Sequence, residues 1–227
     1  MKHIPEKQRK FTDQIAIKTY RSLSPSDFIG QSVEGGPWVS IDQQIVLSGK
    51  EKITREFSQP SSSVVLIMLE GKLSYEDSFG FKRKLIKGTL LAMANGSGSY
   101  GYTIKNGVSH TDAEFLEIQL GPGADYDGIA YLLHGGIPEQ NTLYQIIRQP
   151  GIKMSGGIFS KNTIYPLSQP SGQLVLFVLR GKLTINSLQL GALDTLVTET
   201  SAEPELKFSK DSAILLIEIH SQDEPRA

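Results

Sequence analysis

The chain has 227 residues, 39% of them hydrophobic and 21% charged, the balance of a globular protein able to bury a sizeable core. A formal net charge of −1 excludes the basic footprint of a protein that binds nucleic acid or an anionic membrane directly. The lack of cysteine excludes disulfides, thiolate metal sites and cysteine nucleophiles; with no signal-peptide core and no run near ~20 apolar residues, a cytoplasmic location is expected.

The chain opens on Lys2, Lys7, Arg9 and Lys10 with Glu6 among them, a pattern read as a solvated tail. Helix is scarce, with Ser-Pro-Ser-Asp cap chemistry suggesting one short segment at 24–29. Strand signals follow: β-branched and apolar runs bounded by Gly, Pro, Asn, Asp and Ser, at 44–47, 64–69, 72–75, 82–86, 89–93, 100–105 and 114–120. A connection rich in Gly and Pro then runs from Gly121 to about Asn141, with helix candidates at 129–133 and 142–147. Beyond it strands are expected at 152–155, 162–165, 174–179, 182–185, 188–190, 195–198, 205–208 and 213–220. Closely spaced strands with turn chemistry between them indicate sandwiches or barrels.

One stretch is written twice. Residues 58–73 read SQPSSSVVLIMLEGKL and residues 168–183 read SQPSGQLVLFVLRGKL, identical at ten of sixteen positions. The copies stay in step through Thr89-Leu90-Leu91 against Thr195-Leu196-Val197 and Glu117-Ile118 against Glu218-Ile219, while the offset falls from 110 to 101. Shorter hairpins in the second copy explain the drift, as where Asp77-Ser78-Phe79-Gly80-Phe81 becomes Asn186-Ser187-Leu188. A period this long indicates two copies of one small fold: an N-terminal barrel at 1–122, a connection at 123–141 and a C-terminal barrel at 142–227. Gly71 and Gly181 each end an apolar run where a tight turn requires positive φ.

Leu69-Glu70-Gly71-Lys72-Leu73 with Asp77-Ser78-Phe79-Gly80, followed by Ile86-Lys87-Gly88-Thr89 and Met93-Ala94-Asn95-Gly96-Ser97-Gly98, resembles the first domain of the pirin family. That resemblance, joined to the duplication, implies an all-β bicupin: two tandem cupin-type β-barrels. Pirins and most cupins hold an iron-like metal in the first barrel with two histidines before the matching strand and a histidine and a glutamate after the glycine loop. Counted from the motifs, those four positions fall here on Phe57, Gln59, Gly101 and Thr103, none an ordinary ligand for such a metal. The four histidines, His3, His110, His134 and His220, are dispersed without close His-x-His spacing. In the second copy, Leu167 and Gln169 stand where Phe57 and Gln59 stand in the first.

The vacated positions, with Tyr75, Tyr100 and Tyr102 around them, are the candidate binding residues; the tyrosines equally read as strand residues with buried rings. Alternation against apolar neighbours suggests that Glu117 and Glu218 face solvent. Asn95-Gly96-Ser97-Gly98-Ser99 lies between strands, so it reads as a rim loop and not a phosphate cradle. The expectation is a metal-independent pirin-like bicupin, without cofactor and monomeric, that serves as a binding or regulatory module for a small-molecule ligand or a protein partner. Two enzyme alternatives stay open: a dioxygenase acting on flavonols such as quercetin, which would need the metal, and a metal-free isomerase or lyase. A third alternative is a barrel packed solid by Phe57, where truncation to alanine would cost about 3–5 kcal/mol.

Overall fold

Short β-branched and aromatic runs become strands throughout the computed structural model, which describes residues 2–14, 16–24, 37–49, 52–57, 62–95, 100–107, 110–121, 127–133, 140–167, 172–199 and 204–220. The first strands are β1 (Lys2–Ile4), β2 (Lys10–Asp13), β3 (Ile17–Leu23), β4 (Trp38–Val46), β5 (Ile53–Phe57) and β6 (Ser62–Glu70). Next come β7 (Lys72–Asp77), β8 (Lys82–Ile86), β9 (Leu90–Asn95), β10 (Tyr100–Asn106), β11 (Ala113–Gly121) and β12 (Asp127–Leu133). The rest are β13 (Thr142–Gln149), β14 (Ile152–Phe159), β15 (Ile164–Pro166), β16 (Gly172–Arg180), β17 (Lys182–Ile185), β18 (Leu188–Gly191), β19 (Thr195–Glu199), β20 (Glu205–Phe208) and β21 (Ser212–His220). A 3-10 turn at Glu6–Gln8 is the one helical element among the described residues. The fold is all-β, as the strand pattern indicates, and no helix there is long and apolar enough to cross a membrane.

The chain separates into two compact units. One comprises Lys10–Pro25 and Val39–Gly136; the other comprises Met1–Arg9, Ser26–Trp38 and Ile137–Ala227. Each is a pair of sheets enclosing a core. In the first, a seven-stranded sheet ordered β12-β9-β6-β11-β4-β3-β2 faces a four-stranded sheet ordered β5-β10-β7-β8. In the second, the orders are β1-β19-β16-β21-β14-β13 and β15-β20-β17-β18. Adding ten to each strand number converts the β9-β6-β11-β4-β3 order into β19-β16-β21-β14-β13, and β5-β10-β7-β8 into β15-β20-β17-β18. The likeness of the two halves thus extends from the repeated sixteen residues to the order of strands.

The place beside β9 is taken by β12, whereas the corresponding place beside β19 is taken by β1 from the far end of the chain. The opening residues expected as a solvated tail therefore include a strand, with Lys2, His3 and Ile4 opposite Val197, Leu196 and Thr195. His3 Nε2 lies 3.3 Å from Asp194 Oδ2, and the Glu6 amide donates to Asp194 Oδ1 at 2.9 Å.

Both helix candidates of the connection that fall among the described residues are strands. Residues 129–133 lie in β12, paired with β9, and residues 142–147 lie in β13, which forms a hairpin with β14. Thr142, Tyr144, Ile146 and Ile147 favour the extended form, and an available strand edge decides the matter. The helix candidate at 24–29 lies, beyond Ser24, outside the described residues.

The repeated turns behave alike. Gly71 has φ +79° and Gly181 has φ +94°, and a Cβ would stand 2.9 Å from Ala113 Cα in the first and 2.2 Å from Ser212 Oγ in the second. Both the backbone conformation and the close approach require glycine. The shortened hairpin of the second copy closes with Asn186 and Ser187 both at positive φ, the pattern of a type I′ turn.

Candidate functional site

Side chains two apart on a strand share a face, so alternation decides which residues of β5 and β10 face the core. On β5, Ile53, Arg55 and Phe57 turn toward the core while Thr54 and Glu56 are exposed. On β10, Tyr100, Tyr102 and Ile104 are buried while Gly101 and Thr103 lie on the other face. Tyr100 pairs with Phe57 and Tyr102 with Arg55. The polar and aromatic inward positions of the two strands are therefore Arg55, Phe57, Tyr100 and Tyr102, with Ile53 and Ile104 beside them. Gly101 and Thr103 do not join them: they line an outer depression of about 420 Å³, where Thr103 Oγ1 lies 3.2 Å from Thr54 Oγ1. Gln59 lies outside the described residues.

Aromatic rings fill the inward space. Phe57 stacks on Tyr100 and Tyr102 with centroids 6.1 and 5.8 Å apart, and Tyr75 stacks on Tyr102 at 5.7 Å. Phe79 covers Tyr100 at 5.8 Å, and Phe81 meets Tyr75 edge-on at 6.3 Å. The three sequence-selected tyrosines are thus brought together, all buried and all hydrogen-bonded.

Two polar groups serve these phenols. In one, the hydroxyls of Tyr75 and Tyr100 bond to each other and both reach Met93 Sδ, at 2.7 Å from Tyr75; Asp77 Oδ2 lies 3.4 Å from the Tyr75 hydroxyl. Asp77 also orders its own turn, Oδ1 accepting from the amides of Phe79 and Phe81 at 3.0 and 2.9 Å. In the other, the Tyr102 hydroxyl donates to Glu117 Oε2, Gln119 Nε2 donates to Glu117 Oε1 at 2.8 Å, and Arg55 Nε lies 3.8 Å from Glu117 Oε2. Arg55 donates to Gln44 Oε1 at 3.3 Å, and the Thr19 hydroxyl donates to the same oxygen at 2.6 Å. Burial and the neighbouring Glu117 carboxylate push the Tyr102 phenol well above its ordinary pKa. Burial does the same to Tyr75, reinforced by Tyr100 and Asp77, and to Tyr100, reinforced by Asp77.

Glu117 corrects the sequence reading. It is 3% exposed and points inward with Ala113 and Phe115, because β11 is buried on both faces: Leu116 and Ile118 are as inaccessible as Phe115. Alternation then separates two faces without saying which is wet. Glu218 likewise shares the inward face of β21 with Ile214 and Leu216 and pairs with Lys153 Nζ at 2.7 Å. Arg55 and Gln44 escaped sequence reading, and Asp77 and Met93 were read only as parts of the turn and loop motifs; the signal available for Arg55 was its i, i+2 spacing to Phe57 on one strand.

Among the described residues, the donor set on the inward face of β5 and β10 does not fit an iron-type metal. Convergent imidazole and carboxylate are required, and the inward positions hold phenols, a phenyl ring and a guanidinium whose charge opposes a cation. Among the described residues no three His, Cys, Asp or Glu side chains gather. His3 is on β1, His110 is in an exposed turn, His220 ends β21, and His134 lies outside the described residues. The second barrel is apolar at its centre, where Phe159, Leu176, Val178, Leu183, Leu196 and Phe208 are packed, with Phe159 and Phe208 stacked at 4.4 Å.

No family model and no curated protein matches the chain. Solved structures do. YhhW from Escherichia coli superposes with a TM-score of 0.78 at 14% identity, over 97% of this chain and 99% of that one. The bacterial pirin YhhW in complex with nickel(II), also from Escherichia coli, gives 0.77 at 16% identity over 96% and 98%. Quercetin 2,3-dioxygenase from Acinetobacter baumannii gives 0.70 at 15% identity over 99% and 88%. At such low identity the likeness is one of architecture, and it covers both barrels. The chain has the two-barrel cupin fold of the bacterial pirin YhhW.

Proposed function

We propose that the protein is a metal-independent pirin-like bicupin that works by binding, as a small-molecule receptor or as a regulatory partner of another protein. The observation that carries this reading is the filling of the inward face of β5 and β10 by a guanidinium, a phenyl ring and two phenols, those of Arg55, Phe57, Tyr100 and Tyr102. The polar groups beside them are already committed to one another through Glu117, Gln119, Gln44, Asp77 and Met93. Phenols pushed upward in pKa remain neutral donors near pH 7, suited to holding a structure or a ligand and unsuited to replacing thiolate or carboxylate donors. On this reading the protein is a cytoplasmic monomer.

The test is elemental analysis of untagged protein purified without chelator and then incubated with iron, nickel and manganese salts. The expected result is no transition metal held at a stoichiometric level after gel filtration. Near-stoichiometric metal, with quercetin consumed, would overturn it. A dioxygenase is the second reading because a structure of that name, from Acinetobacter baumannii, covers 99% of this chain.

A further inference from the structure

The inward faces of β11 and β21 each carry a glutamate, at positions two residues apart in register: Glu117 lies opposite Leu66, whereas Glu218 lies opposite Leu174, the counterpart of Val64. In the first barrel, Glu117 is closed over by Tyr102, Gln119 and Arg55. In the second, Glu218 is joined by Lys153 and borders a cavity of about 200 Å³. Lys153 and Glu218 retain 39% and 16% side-chain exposure, so the pair remains accessible to a solute. Buried Ser155 and exposed Gln145 add neutral polar groups, and Leu174 and Leu216 supply an apolar wall. The cavity is thus a small chamber in which a cation and an anion lie beside leucines of the same sheet face, Leu174 directly opposite Glu218 and Leu216 two residues before it.

That combination selects its occupant. A lone anion attracted to Lys153 would meet Glu218, and a lone cation attracted to Glu218 would meet Lys153; a zwitterion satisfies both. At ~30 Å³ per water-sized group the space holds about seven non-hydrogen atoms, the scale of alanine to valine. We propose that this cavity binds a free amino acid with a short apolar side chain. Lys153 takes its carboxylate, Glu218 takes its ammonium, and the side chain lies on Leu174 and Leu216. A half-exposed ion pair contributes little to folding, so parting Lys153 from Glu218 costs little, while the ligand returns two charged hydrogen bonds. The site lies in the second barrel and is independent of whether the first holds a metal.

The experiment is calorimetric titration of the full chain with alanine and valine, and with the N-acetyl and carboxamide derivative of each, at concentrations up to about 10 mM. The expected result is saturable binding of the free amino acids, weakened about tenfold or more by either derivative, because each removes one charged hydrogen bond. Lys153→Met with Glu218→Met together should abolish binding while the melting temperature stays near that of the unaltered chain. Equal affinity for free and blocked forms, or no saturable signal from the free amino acids, would overturn the proposal. Should the double variant fail to fold, the comparison of free with blocked ligands on the unaltered chain decides alone.

Discussion

Phe57 and Tyr102 show how much a single side chain of the first barrel can be asked to carry. Phe57 is half-buried, packed on Tyr100 and Tyr102 without being enclosed. Phe57→Ala is therefore expected to lower the unfolding free energy by about 1–3 kcal/mol, below the 3–5 typical of a fully enclosed ring, as read from urea denaturation. Tyr102→Phe removes the hydroxyl from a buried carboxylate and is expected to cost about 1–3 kcal/mol, because Glu117 then keeps fewer donors in the same enclosed space. The phenols also set a pH limit. Tyr75, Tyr100 and Tyr102 are raised in the folded protein, whereas unfolded tyrosine ionises near ~10. Their contribution is fully present below that value and is lost as pH climbs above it, since only the unfolded chain gains charge there. The urea midpoint should hold between about pH 7 and 9 and fall above about pH 10, with phenolate absorbance appearing together with unfolding. Residue identities announced the tyrosine cluster, since three phenols recur along inward faces. They did not announce Glu117, because a strand buried on both sides erases the contrast that alternation depends on.

Among elements, β1 is the one whose role runs furthest from its place in the sequence. Three residues pair with β19, and Asp194 fastens their end through His3 and the Glu6 amide. Deleting residues 1–9 should make β19 an unprotected edge, so hydrogen exchange of its amides is expected to accelerate while that of β6 and β11 in the other unit is unchanged. Strands such as β8, β17 and β20 were legible to the residue, since turn chemistry brackets each: Gly80 before β8, Gly181 before β17, and the Ser209-Lys210 turn after β20. The segments β12 and β13 were not. Isolated runs such as Ile-Ala-Tyr-Leu-Leu suit helix or strand alike, and the free edge of β9 or β14 that settles the choice is a property of the sheet.

For the whole molecule, the two-barrel architecture was legible because the sixteen-residue stretch recurs, and the matching strand orders of the two units accord with that recurrence. The division of the chain between the barrels carries no such signal: Met1–Arg9 and Ser26–Trp38 belong with Ile137–Ala227, so the backbone crosses from one unit to the other repeatedly. A fragment of residues 137–227 should accordingly unfold at lower urea than the same fragment carrying residues 1–9 ahead of it on a flexible linker, with circular dichroism as the readout. The long separation of β1 from β19 also orders events during synthesis. Lys2 leaves the ribosome about 195 residues before Val197, a wait of roughly 10–40 s at ~5–20 residues per second. Throughout that interval the first barrel can close while its nearest neighbour in sequence, β1, stays without its partner. Anything joined ahead of β1 is thereby carried to the edge of the second unit's sheet, beside β19.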